Sequence, residues 1–146
     1  MRIACLATLC VITVGASARL CAEDTSRALR VTVTYSGAGT VDEGHQLFVQ
    51  IFNTSYIGHE GIMPIASSSL SRNGETAAFA ELPASPVYVA VFYDQRGACS
   101  NGCDEPPSGS PAALYGAQAG VADPIDINAG ETRAIRVVFD DSITIP

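Results

Sequence analysis

The sequence predicts an all-β fold, an antiparallel β-sandwich of about seven strands. Three observations predict it. The clearest segments alternate apolar and polar residues with a period of two. Thirteen Gly and eight Pro divide the chain into short pieces. No segment sustains apolar residues at helical spacing without interruption by Gly, Pro or β-branched side chains, so no long helix is expected.

Residues 29–35 (Leu-Arg-Val-Thr-Val-Thr-Tyr) alternate strictly. They form a half-buried strand with the odd positions inward. Residues 47–52 carry apolar groups on both faces and make a second strand, closed by Asn53-Thr54-Ser55. A weaker third over 62–70 contains Pro64, which places it at a sheet edge. Asn73-Gly74 between extended segments signals a hairpin into a fourth strand over 76–82. After the Pro83-Ala84-Ser85-Pro86 turn, residues 87–93 are apolar at every position, as in a central strand covered on both sides. Residues 94–111 are a long irregular stretch rich in Gly, Pro, Ser and Asp. A short strand over 125–127, a turn at 128–131 and a last strand over 134–139 complete the chain. Short strands at this spacing argue for a sandwich.

The first 22 residues read as a signal peptide. Met1-Arg2 supplies a positive start. Residues 3–14 form an apolar run too short to span a bilayer, and Ala16-Ser17-Ala18 and Ala22 offer small residues for cleavage. Arg19 before Cys21 makes a poor lipobox. Cutting 22 residues from 146 leaves 124, expected as one domain over 23–146. The loss of Arg2 and Arg19 moves the formal charge from -7 to -9. Cys5, Cys10 and Cys21 go as well, leaving the even pair Cys99 and Cys103. With no Lys and no cluster of cations, nucleic acid and anionic membrane surfaces are poor partners. Stable membrane insertion after cleavage is not expected, and the expected location is secreted or periplasmic.

One stretch carries a family pattern: Phe79-Ala80-Glu81-Leu82-Pro83, a tight turn, then Val87-Tyr88-Val89-Ala90-Val91-Phe92-Tyr93-Asp94. It resembles the prealbumin-like (transthyretin-like, carboxypeptidase regulatory-like) secreted sandwiches. Asn128-Ala129-Gly130-Glu131-Thr132 is similar to their last hairpin. The resemblance implies a scaffold of mostly non-catalytic function. One transthyretin-related branch hydrolyses 5-hydroxyisourate and ends in Tyr-Arg-Gly-Ser. This chain ends Ser142-Ile143-Thr144-Ile145-Pro146, so that activity is not expected.

Chemistry concentrates in the long loop. Cys99-Ser100-Asn101-Gly102-Cys103 is expected to close a disulfide in an oxidising compartment. The alternatives are a redox pair, which lacks a Cys-x-x-Cys at a helix start, and a zinc site completed by His45 and His59. Asp94, Asn101, Asp104 and Glu105 supply hard oxygens of the kind calcium takes, and related secreted sandwiches hold calcium after a Tyr-Asp strand end. Arg96, Ala98 and Cys99 interrupt the usual alternation of acidic ligands. The plainer expectation is a solvated acidic loop with Asp94 capping a turn. Asp140-Asp141 is a further acidic pair.

No catalytic motif emerges. There is no Gly-x-Ser-x-Gly, and His59-Glu60 lacks a second His at helical spacing. Tyr56, Tyr88, Tyr93 and Tyr115 are candidates for a sugar platform, without the Trp that serves best. Asn53-Thr54-Ser55 is a glycosylation sequon, relevant in a eukaryotic secretory pathway. The leading expectation is an exported, non-catalytic binding or accessory module with no obligatory cofactor and an unknown protein or glycan partner. Two alternatives stand beside it. One is a calcium-stabilised sandwich whose 94–111 loop docks a partner or glycan. The other is a hydrolase using loop carboxylates.

Overall fold

A computed structural model describes residues 25–99, 102–103, 105–117 and 120–146. The expected signal peptide, residues 1–22, lies outside the described residues. Among those described there are seven strands and no helix: β1 (Ala28–Tyr35), β2 (Leu47–Phe52), β3 (Ala66–Leu70), β4 (Thr76–Phe79), β5 (Tyr88–Tyr93), β6 (Ala112–Leu114) and β7 (Thr132–Phe139). They form a three-stranded sheet, β4-β1-β7, and a four-stranded sheet, β3-β2-β5-β6. The architecture is an all-β sandwich.

The period of two decides which side chains enter the core. Leu29, Val31, Val33 and Tyr35 of β1 face inward and are buried. Val137 and Phe139 of β7 lie beside them in the same sheet, and Leu47, Val49 and Ile51 of β2 with Val89, Val91 and Tyr93 of β5 meet them from the other sheet. The intervening residues of β1 and β7 face solvent. Those of β2 and β5 do not, and both strands are buried along nearly their whole length.

Four expectations are corrected. The Asn73-Gly74 turn is not a β-hairpin, because β3 pairs with β2 and β4 with β1. It carries the chain from one sheet to the other. Asn73 accepts the Tyr35 N–H at 2.8 Å and donates to the Tyr35 carbonyl at 2.7 Å, so its amide stands in for a strand residue beside β1. Gly74, at a φ of 80°, makes the reversal that a Cβ would oppose.

The fourth strand ends at Phe79 and not at 82. Glu81 sits at a φ of 55° and bends the chain out of the sheet, and the Leu82 N–H then reaches the Arg27 carbonyl at 2.9 Å. Residues 125–127 form no strand. Ile125 makes one isolated bridge to Val87, and the Ile127 N–H goes to the Ser85 hydroxyl. Both isoleucines are buried, which explains their strand-like pattern. The remaining strand is β6, inside a stretch with no alternation to betray it. Finally, four of the five strand pairs are antiparallel, but β1 and β7 run parallel over Ala28↔Thr132 to Tyr35↔Phe139.

Candidate functional site at the loop end

β1, β5 and β7 end, and β2 begins, at one end of the sandwich. The two loops after β1 and β5 and the C-terminal tail converge there. Tyr35 and Tyr93, the last residues of their strands, bring their rings to 4.5 Å, and Phe139 lies 5.2 Å from Tyr35. The Tyr35 hydroxyl donates to Asp141, whose other oxygen accepts the Ala38 N–H at 2.9 Å. The Tyr93 hydroxyl donates to the Thr40 carbonyl at 2.8 Å. Gly37 and Gly39 lie so close over these rings that a Cβ on either would clash. Burial pushes the Tyr35 hydroxyl up to a pKa of about 12, with the Asp141 carboxylate as the next cause. Burial likewise raises Tyr93, helped by the negative charges of Asp42, Asp94 and Asp141.

The acids of this end serve the backbone. Asp42 accepts from the Gly44 and His45 N–H groups at 2.9 and 2.8 Å and lies 3.0 Å from His45 Nδ1. The His45 side chain is the main cause holding its carboxyl below the usual range. Hydrogen bonding from Ser142 does the same for Asp140. Asp94 is 2% exposed, and its two oxygens accept the Ala98 and Cys99 N–H groups at 3.1 and 2.7 Å. That is the turn-capping role expected of an aspartate after a strand.

Cys99 and Cys103 are disulfide-bonded with their Cα atoms 5.2 Å apart. The bond is more than a loop staple. Cys99 packs on Phe48 and Phe92, whose rings stack at 4.9 Å and 6° on the outer face of the four-stranded sheet. Gln50, buried between strands on that face, donates to the Cys103 carbonyl at 3.3 Å. The loop therefore covers the second face of β2 and β5. Its far half is held by the C-terminal tail: Gly109 donates to Ile145, Ile145 to Ser110 and Ala112 to Ile143.

The expected calcium set is dispersed in role. Asp94 is buried and occupied by backbone donors, while Glu105 is exposed. Asn101 and Asp104 lie outside the described residues. Among the described residues no three His, Cys, Asp or Glu side chains group closely enough to share a metal ion. The zinc alternative does not form: both cysteines are in the disulfide, and His45 and His59 flank opposite ends of β2. The sugar platform does not assemble either. Tyr93 is buried, Tyr88 and Tyr115 are half-buried, and only Tyr56, 66% exposed, stands free of the core at the opposite end, edge-on to His59. Tyr35 and Gln50 escape the sequence reading as members of the site, and Asp141, singled out there only as half of an acidic pair, turns out to hold Tyr35. Tyr35 is legible as the last inward position of its strand, but a partner about a hundred residues away leaves no local mark. Compared with known proteins, the chain matches no family model, no curated protein and no solved structure. Among the described residues no helix is long and apolar enough to cross a membrane.

Proposed function

We propose that this chain is an exported, non-catalytic sandwich module of the prealbumin-like kind, which binds a partner through its loop end. The observation that carries this reading is the threefold anchoring of the loop after β5. Asp94 caps its start, the disulfide seats it on Phe48 and Phe92, and the C-terminal tail pairs with its last residues. A loop held this firmly loses little freedom when it meets a partner. Most of the neighbouring carboxylates accept from backbone donors, a scaffold use. Glu43 and Glu105 remain exposed to meet cationic or hydrogen-bonding groups of a protein or glycan. The disulfide and the short apolar leader support export.

Three measurements test the reading. The exported protein should have the mass of residues 23–146 with one disulfide, and exported material that retains Met1 would contradict it. The mature protein should retain ligand from the envelope or secreted fraction of its source. The pair Glu43→Lys and Glu105→Lys should abolish that retention without lowering the melting temperature. Equal retention by the variant would move binding away from this end, and turnover of any substrate in a hydrolase panel would overturn the non-catalytic reading.

A further inference from the structure

The opposite face of the molecule carries a separate surface. β7 is an edge strand of its sheet, and among the described residues its outer side has no strand on it. Arg136 and Val138 of β7 and Arg30 of β1 point outward and are exposed. Thr32 stands beside Arg136, while Arg30 is flanked by Ala134 on β7 and Ala78 on β4. The charged neighbours are few. Arg133, on the same strand, lies 3.6 Å from Glu131, and Asp140 stands just past the end of β7. Neither Arg30 nor Arg136 makes an ion pair with a carboxylate among the described residues, in a chain whose acids outnumber its basic residues by fifteen to eight.

We propose that the open edge of β7 takes an acidic, extended segment of a partner protein as an added strand, with Arg136 and Arg30 reading its carboxylates. The backbone of an edge strand supplies the hydrogen bonds of such an addition, and side chains at alternate positions supply the selectivity. A side chain of the added strand on the outer face lies next to Arg136. Arg30 is two strand spacings away, about 10 Å, and only the small Ala134 intervenes. Arginine forks grip carboxylates in two parallel hydrogen bonds.

The same residues argue against other occupants. Pairing two copies through β7 would bring Arg133 and Arg136 against their own kind, which like charges oppose. A polysaccharide would find no aromatic ring among these outward positions to stack on. The surface lies on the outer face of the three-stranded sheet and reaches the loop end only at Val138, and its test reads the amides of 132–139 apart from those of the loops.

The probe is a synthetic peptide of alternating Glu and Val, titrated into the mature protein by calorimetry. Saturable binding is expected, weakened by about 0.5 M salt because the contacts are exposed. Amides of 132–139 should gain protection from hydrogen exchange on binding. Arg136→Glu with Arg30→Glu should weaken binding roughly tenfold or more while melting like the parent, and Arg136→Gln should lie between. Absence of binding at millimolar peptide would overturn the proposal. So would equal binding by the double variant, or protection confined to 36–46 and 94–111. Preference for polygalacturonate over the peptide, or self-association of the protein in place of peptide binding, would overturn it as well.

Discussion

The outer faces of the two sheets are built on the same alternation and end in opposite environments. On the three-stranded sheet the outward residues of β1 and β7 are Arg, Thr, Ala and Val, and they stay exposed or half-exposed. On the four-stranded sheet the outward residues of β2 and β5 are Phe48, Gln50, Phe52, Tyr88, Ala90 and Phe92, and all are buried except Tyr88 at the start of β5, which is half-buried. This sandwich therefore has two cores. The main one lies between the sheets, and a second, smaller one lies under the disulfide loop. The long loop after β5 is thus partly a wall of the fold.

Val89 faces the main core and is fully buried. Val89→Asp should unfold the domain, since an unpaired buried carboxylate costs several kcal/mol against a total stability of roughly 5 to 15 kcal/mol. Loss of the cooperative melting transition is the readout, and a variant that melts like the parent would show the core misplaced. Under the loop the penalty should be smaller. Phe92→Ala should cost about 3 to 5 kcal/mol by denaturant titration, as for other buried rings. If it cost nothing, the second core would be only a surface patch.

Removing the disulfide sharpens the same point. Cys99→Ala with Cys103→Ala should cost about 2 kcal/mol from loop closure alone. A larger loss would measure how much the Phe48–Phe92 packing depends on the bond. Thiol counting under denaturation should find no free thiol in the mature parent.

A pH titration examines the loop end alone. Tyr35 is held protonated in the fold, with its pKa raised from 10.0 to about 12. A raised pKa contributes stability that is fully present below pH 10 and is lost as the pH rises through about 12. Tyr35→Phe should remove that alkaline step and, by losing the bond to Asp141, cost about 1 to 2 kcal/mol at neutral pH. The lowered pKa values of Asp42 and Asp140 act in the other direction: their contribution is present above the ordinary carboxyl range and fades as the pH falls below it. The smallest effect is expected from calcium. Asp94 already serves two backbone donors, so millimolar calcium should leave the melting temperature unchanged. A rise of several degrees would restore Asp94, Asn101, Asp104 and Glu105 as a calcium site.

Much of the fold could be read along the chain because strand burial is a local pattern. The inward odd residues of β1, the doubly apolar β2 and β5, the edge position of β3 and the disulfide pair were all legible from neighbours within a few positions. The site was less legible. Cysteine spacing suggested the Cys99–Cys103 bond, and the strand end before the long loop suggested Asp94 as a cap. Nothing local indicated that Asp141 would reach Tyr35, or that Gln50 would meet Cys103.

Which residues seek burial and where the chain turns were written into the amino-acid order, because alternation, Gly, Pro and Asn-Gly act through local backbone geometry. Which strands become partners was left to the tertiary structure. The parallel β1–β7 pair, the passage of Asn73-Gly74 between sheets and the choice of β6 over 125–127 each depend on segments distant in sequence competing for the same sheet edge. So does the cover on β2 and β5. Their apolar outer faces required one, and the loop closed by Cys99 and Cys103 provides it because the chain leaving β5 folds back over the face it has just built.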